Sequence, residues 1–195
     1  MSEQFTQEQG QTLLDQARAT LIKKLGGDQS RIPEDLDERL KDQVFDQKLG
    51  TFVTLHLHGN LRGCIGSLIG DEPLRDNVQN NAINAALHDP RFPPLSTREL
   101  AEVDIEVSVL TSPQPFKYSS PQDLVNRLRP GVDGVIMKKG MAQSTFLPQV
   151  WEQLPKPEAF LNNLCLKAGL PQEAWKQGDV EIMTYQVQSF AEQGN

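Results

Sequence analysis

The spacing of apolar positions changes along the chain, and each change marks a predicted element. Leu13, Leu14, Ala17, Leu21 and Leu25 recur at helical spacing, which predicts a helix over Phe5–Leu25. Thr6, Glu8 and Gln9 suit its start, and Gly26-Gly27 its end. Polar residues around Pro33 then read as a connection with a short helix at Glu34–Asp42. From Gly50 the period falls to two. Phe52, Thr54, His56 and His58 share one face and Val53, Leu55 and Leu57 the other, predicting a strand over Gly50–His58. Gly59-Asn60 is turn chemistry, and Leu61–Ile69 predicts a returning strand interrupted by Gly63 and Gly66. Asp71 and Pro73 open a helix whose apolar side is Leu74, Val78, Ala82, Ala85 and Ala86. Pro90 ends it after His88-Asp89. A proline-rich loop at Arg91–Ser96 leads to a strongly alternating strand, Val103–Leu110.

The second half echoes the first. Pro121–Leu128 predicts a short helix, and Val132–Lys138 with Met141–Leu147 a hairpin around Lys139-Gly140. Helices at Pro148–Leu154 and Glu158–Ala168 and a last strand at Asp179–Val187 follow. Each half reads helix, hairpin, helix, strand. The pattern therefore predicts an internal repeat and an α+β fold with one mixed sheet and helices packed outside.

Composition narrows the class. The 195 residues suffice for one domain or for two small units sharing a core. A net charge of -7 argues against non-specific nucleic-acid binding. No apolar run approaches membrane-spanning length, and the polar Met1-Ser2-Glu3-Gln4 start shows no signal peptide. Cys64 and Cys165 lie far apart in different contexts and read as free thiols, so a cytoplasmic protein is expected, with neither nucleic acid nor membrane as partner.

Chemistry concentrates at Leu61-Arg62-Gly63-Cys64-Ile65-Gly66. Glycines on both sides of Cys64 permit close approach of backbone or ligand. On a regular strand Arg62 shares a face with Cys64, where its charge would favour thiolate and could clamp an anion. A two-residue turn instead puts Cys64 opposite Leu55 on an apolar face, as a buried structural cysteine, unless a glycine bulge reverses the facing. His88 could serve as the base for the thiol or cap its helix. Glu106 and Ser108 occupy the polar side of a Val/Ile-rich strand. His56 and His58 could share a metal, but nothing nearby completes a site, and no metal or cofactor is expected. Cys165 reads as core.

These blocks together resemble the AMMECR domain family. Leu61–Gly66 looks like its signature, preceded by Gly50-Thr51-Phe52-Val53-Thr54-Leu55 and followed by Asp89-Pro90-Arg91-Phe92 and Ile105-Glu106-Val107-Ser108-Val109-Leu110. Gly131-Val132-Asp133-Gly134, Phe146-Leu147-Pro148-Gln149-Val150-Trp151 and Lys167-Ala168-Gly169-Leu170 also match, so the resemblance covers roughly Asp15 to Phe190. It implies two similar three-strand, two-helix units, about 5–111 and about 112–190, forming one mixed, barrel-like sheet around a shared core. It also implies a relative of AmmeMemoRadiSam system protein A, with Memo-like and radical S-adenosylmethionine proteins as partners, and brings no settled reaction. By motif match it carries over Arg62, Gly63, Cys64, Gly66, Asp89, Arg91, Phe92, Glu106, Ser108 and Gln149; His88 stands on local chemistry alone.

Two function classes follow. In one, Cys64 is a nucleophile or acid/base group, Arg62 or Arg91 holds a small anionic substrate, Glu106 is base or orienting group, and Gly63, Gly66, Asp89 and Ser108 shape the site. In the other, the same surface binds a small molecule or a partner protein without chemistry. A redox-sensing Cys64 is a third possibility.

Overall fold

The first helix forms where its caps are strongest. Thr6 accepts from the Gln9 amide while the Gln9 side chain accepts from the Thr6 amide, a reciprocal cap that starts α1 (Gln7–Leu25). Left-handed Gly26 ends it. Its buried side, including Leu13, Leu14, Ala17 and Leu21, packs with α3 (Leu74–Leu87) against the apolar face of a sheet. A single turn, α2 (Leu36–Arg39), stands where the connection was expected to turn helical. Pro73, rather than Asp71, occupies the cap position of α3.

The computed structural model describes residues 5–192, which divide into two units. The first runs to Leu110 and takes in the stretch from Gln188; the second is Thr111–Val187. In the first, β1 (Thr51–Leu57) and β2 (Asn60–Ser67) form a hairpin, β3 (Val103–Leu110) pairs antiparallel with β1, and β8 (Val187–Ala191) lies beside β3, giving the order β2-β1-β3-β8. Val53, Leu55, Ile105 and Val107 are fully buried on the face toward α1 and α3. A short helix, α4 (Thr97–Leu100), precedes β3.

In the second unit, β4 (Gln114–Pro115) and α5 (Pro121–Arg127) lead to the hairpin of β5 (Gly134–Lys139) and β6 (Ala142–Phe146), then α6 (Pro157–Lys167) and β7 (Glu181–Tyr185). Its sheet order is β4-β7-β5-β6. Its own buried cluster includes Leu124, Met137, Trp151, Phe160, Cys165 and Trp175, with the Trp151 and Phe160 rings stacked 3.7 Å apart. The expected helix at Pro148–Leu154 is a 3-10 segment, Pro148–Glu152.

The repeat is visible in the strand order: in both units the third strand pairs with the first strand of the hairpin, and a fourth strand flanks the third. The expectation of one mixed sheet is corrected. There are two separate four-stranded sheets, and neither order closes on itself among the described residues. The difference lies in β8, which the sequence pattern does not predict; after Gln186 the chain leaves the second sheet and joins the first beside β3. Among the described residues, no helix is long and apolar enough to cross a membrane.

A polar network and a close backbone approach join β1 and β2 to α3. Thr51 donates to Asn77 Oδ1 at 2.9 Å and accepts from Asn81 at 2.8 Å, while Asn77 donates to the Leu49 carbonyl at 3.2 Å; Thr51, Asn77 and Asn81 are all buried. Gly63 sits on the core face opposite Leu55, where a Cβ would come within 2.2 Å of the Ala85 carbonyl oxygen of α3. Backbone meets backbone there, so no side chain can rotate away. Gly63→Ala is expected to lower unfolding free energy by about 1–3 kcal/mol through overpacking. Urea titration measures this, and an unchanged midpoint would show that α3 withdraws without strain.

Candidate functional site

The hairpin turn consists of His58 (φ 52°) and Gly59 (φ 77°), both left-handed, as a two-residue turn with right-handed strand twist requires. Leu57 pairs with Asn60. If that register continued, Cys64 would lie opposite Val53, in the core. It does not continue. Leu61 pairs with His56 but Gly63 with Leu55, so Arg62 is an extra residue, a β-bulge. Beyond it every side chain of β2 changes face. Cys64 pairs with Thr54, and Thr54 pairs on its other side with Glu106. A thiol, a hydroxyl and a carboxylate thus form one row across three strands on the face opposite the core. Phe52, Gly66 and Ser108 form the next row.

Within this face the Thr54 hydroxyl donates to Cys64 Sγ at 3.3 Å. Ser108 donates to Glu106 at 3.3 Å and shares a 2.8 Å bond with Ser189 of β8. Gly66 is required: a Cβ would fall 2.1 Å from the Thr51 carbonyl oxygen and 2.5 Å from the Phe52 ring. Cys64 is half-buried.

β2 is an edge strand, and its outward backbone at Cys64 is capped by the loop after α3. Asp89 is buried; its Oδ2 accepts from the Cys64 amide at 2.9 Å. Its Oδ1 accepts from the Arg91 amide at 3.1 Å, the local turn that Asp before a tight loop favours. Arg91 donates to Asp89 through Nε at 2.9 Å and Nη2 at 2.7 Å, and Nη2 reaches the Cys64 carbonyl at 3.3 Å. The Arg91 side chain is 53% exposed, so its charge remains accessible.

Arg62 has a different position from the one expected. The bulge takes it off the face of Cys64, and its buried guanidinium holds Glu99 at 2.8 Å. Glu99 also closes the cap of α4 by accepting from the Ser96 amide at 2.9 Å. Phe92 is half-buried between cations, its ring centroid 5.9 Å from the guanidinium carbon of Arg62 and 5.4 Å from that of Arg91. His88 is exposed at the end of α3 and bonds Asn84 at 3.0 Å rather than the thiol. Gln149 is exposed on the 3-10 segment of the second unit. His58 pairs with Glu102 at 3.1 Å, and among the described residues no group of three His, Cys, Asp or Glu side chains could hold a metal. The structure thus joins Cys64, Asp89 and Arg91 directly and aligns Glu106 with Cys64 across Thr54. Thr54 and Glu99 were not singled out from sequence, although the Ser96–Glu99 spacing is a legible capping box.

The two carboxylates are strongly acidic. The Arg91 guanidinium first, then the amides of Cys64 and Arg91, hold Asp89 well below the usual carboxylate range against the opposing effect of burial. Arg62 first, then the Ser96 amide, bring Glu99 down to about 2. A carboxylate depressed in the folded state stabilises the fold above its unfolded pKa of about 4, and that contribution is lost as pH falls through the folded value. Stability is therefore expected to drop between about pH 4 and about pH 2, and Glu99→Gln to be less stable near pH 7 with a shallower acid limb. Urea midpoints across that range test this; a wild-type midpoint constant from neutral to acid pH would contradict it.

Comparisons with known proteins agree with this architecture. The chain matches the AMMECR1 family over residues 14–190. A protein of Methanothermobacter thermautotrophicus is 42% identical, with 97% of each chain covered, and one of Methanosarcina barkeri is 39% identical over 96% of this chain and 92% of its own. The crystal structure of an uncharacterized protein from Pyrococcus horikoshii superposes with a TM-score of 0.81 at 32% identity, covering 98% of this chain and 95% of that one. The chain belongs to the AMMECR1 family.

Proposed function

We propose that this is a cytoplasmic enzyme acting on a small anionic substrate, with Cys64 as the reacting group. The observation that carries the reading is the bulge at Arg62, which turns Cys64 out of the core and into line with Thr54 and Glu106. Neighbouring strands lie about 4.8 Å apart, so Cys64 and Glu106 stand about 10 Å apart across Thr54, room for a small ligand between thiol and carboxylate. The exposed edge of Arg91 supplies a cation at the rim. In the chemical step the Cys64 thiol gives its proton to water, the sulfur pair bonds an electrophilic substrate carbon, and the displaced pair passes to the substrate's own leaving group or carbonyl oxygen, while Glu106, too far for direct transfer from the thiol, orients the other end of the ligand. Ser108 orients Glu106, and Gly66 leaves space for the Phe52 ring that borders the face.

A second reading, an adaptor for Memo-like and radical S-adenosylmethionine partners, is favoured by exposed apolar residues at the two ends of the edge strand, Leu61 (41% exposed) at the start of β2 and Ile69 (68% exposed) just past its end.

Alkylation separates the two. Cys165 is fully buried, and burial pushes its thiol up, so it serves as an internal reference. Cys64 is expected to react much faster than Cys165, and to favour iodoacetate over iodoacetamide by about fivefold relative to a free thiol, because Arg91 attracts the anion. Arg91→Gln should abolish the preference. A Cys64 no more reactive than Cys165, or one without anion preference, sinks the enzyme reading.

A further inference from the structure

The bonds around Cys64 involve its backbone as well as its sulfur. The amide donates to Asp89 and the carbonyl accepts from Arg91, so the two members of one ion pair hold opposite ends of the thiol-bearing residue. On an edge strand those groups would otherwise face water or an incoming strand. Asp89 is sealed, its side chain 2% exposed, whereas Arg91 opens to solvent. Arg91 can reach the Cys64 carbonyl because Asp89 grips it through Nε and Nη2 and fixes the guanidinium plane.

We infer that Asp89 and Arg91 are a positioning pair for Cys64, locking its backbone and setting the reactivity of its sulfur in opposite senses. The inference rests on Cys64 being the reacting group. A negative charge beside a thiol disfavours thiolate and a positive one favours it. The pair sets one charge of each sign against the backbone of this residue, at its amide and at its carbonyl. The other charged or titratable groups near this face are accounted for. Glu106 lies two strands away, and His56 and Asp104 share a row with Leu61 further along. Arg62 is neutralised by Glu99, and His88 bonds Asn84. Removing one member of the pair therefore leaves the other's charge uncompensated against the backbone of the thiol-bearing residue.

The test uses the full chain and the neutral reagent iodoacetamide, so that attraction of an anionic reagent plays no part. Asp89→Asn keeps an acceptor for the Cys64 amide but removes the negative charge; Cys64 alkylation at neutral pH should accelerate about fivefold. Arg91→Gln should slow it by a similar factor, and the double variant should return close to the wild-type rate. Added salt should shrink both single effects. A merely structural pair predicts something else: both single variants open the edge and speed alkylation, and the double variant speeds it further. That result, or no change in either single variant, overturns the inference while leaving a reactive Cys64 in place. A wild-type Cys64 as slow as Cys165 instead overturns the functional reading on which the inference rests.

Discussion

One surplus residue in a hairpin determines what this sheet can do. Side chains of a strand alternate with a period of two, so a register fixed at the turn dictates the facing of every residue beyond it. The turn at His58-Gly59 would send Cys64 into the core against α3. Arg62 breaks that register, and everything after it changes sides. Gly63 then faces the core and Cys64 faces away. This explains why glycine is needed beside the cysteine: the residue newly facing α3 meets the Ala85 carbonyl at a distance that admits no side chain. The bulge and Gly63 are two halves of one solution.

A bulge at a sheet edge loosens the ladder that should hold it, and the structure compensates with charge. Arg62, displaced from the strand face, is bound by Glu99, which simultaneously caps α4. Two residues further along the strand, Asp89 and Arg91 take the backbone groups of Cys64. Asp89 tolerates burial because it receives four donated N–H groups, two of them from a guanidinium. Behind the sheet, Thr51, Asn77 and Asn81 satisfy one another within the core, which fixes β1 as a rigid reference for the strand beside it.

Much of this was legible in the sequence, and the remainder failed for identifiable reasons. Strong alternation located β3 at its observed limits, and caps located α1, because both signals are local. The repeat followed from the order of those signals. Facing at Cys64 was undecidable, since the sequence permits either register and one inserted residue reverses the answer. The resemblance selected Asp89 and Arg91, but as parts of a substrate site; their partners are the amide and carbonyl of Cys64, and backbone groups have no sequence signature. Arg62 was misplaced because a regular strand was assumed exactly where the strand is irregular. β8 was missed because Val187–Ala191 follows β7 with only Gln186 between, and a change of sheet leaves no trace in the pattern. Nothing in the pattern marks the asparagines of α3 as buried, because polar residues are mostly exposed.

The internal repeat supplies a control for the meaning of the bulge. The second unit builds its hairpin in the same place in an equivalent strand order, and there the pairing runs without a shift from Val135 opposite Phe146 to Lys139 opposite Ala142. An unbroken hairpin therefore serves this architecture well. The second unit's cysteine, Cys165, lies on α6 in the core, in contact with Met137, as an ordinary buried thiol does. If the fold itself needed an irregular hairpin, both units would carry one. Only the first does, and there it moves a thiol from an apolar face to a polar one, beside an ion pair that holds its backbone. The irregularity is thus an addition to the fold, and its consequence is the exposure and placement of Cys64.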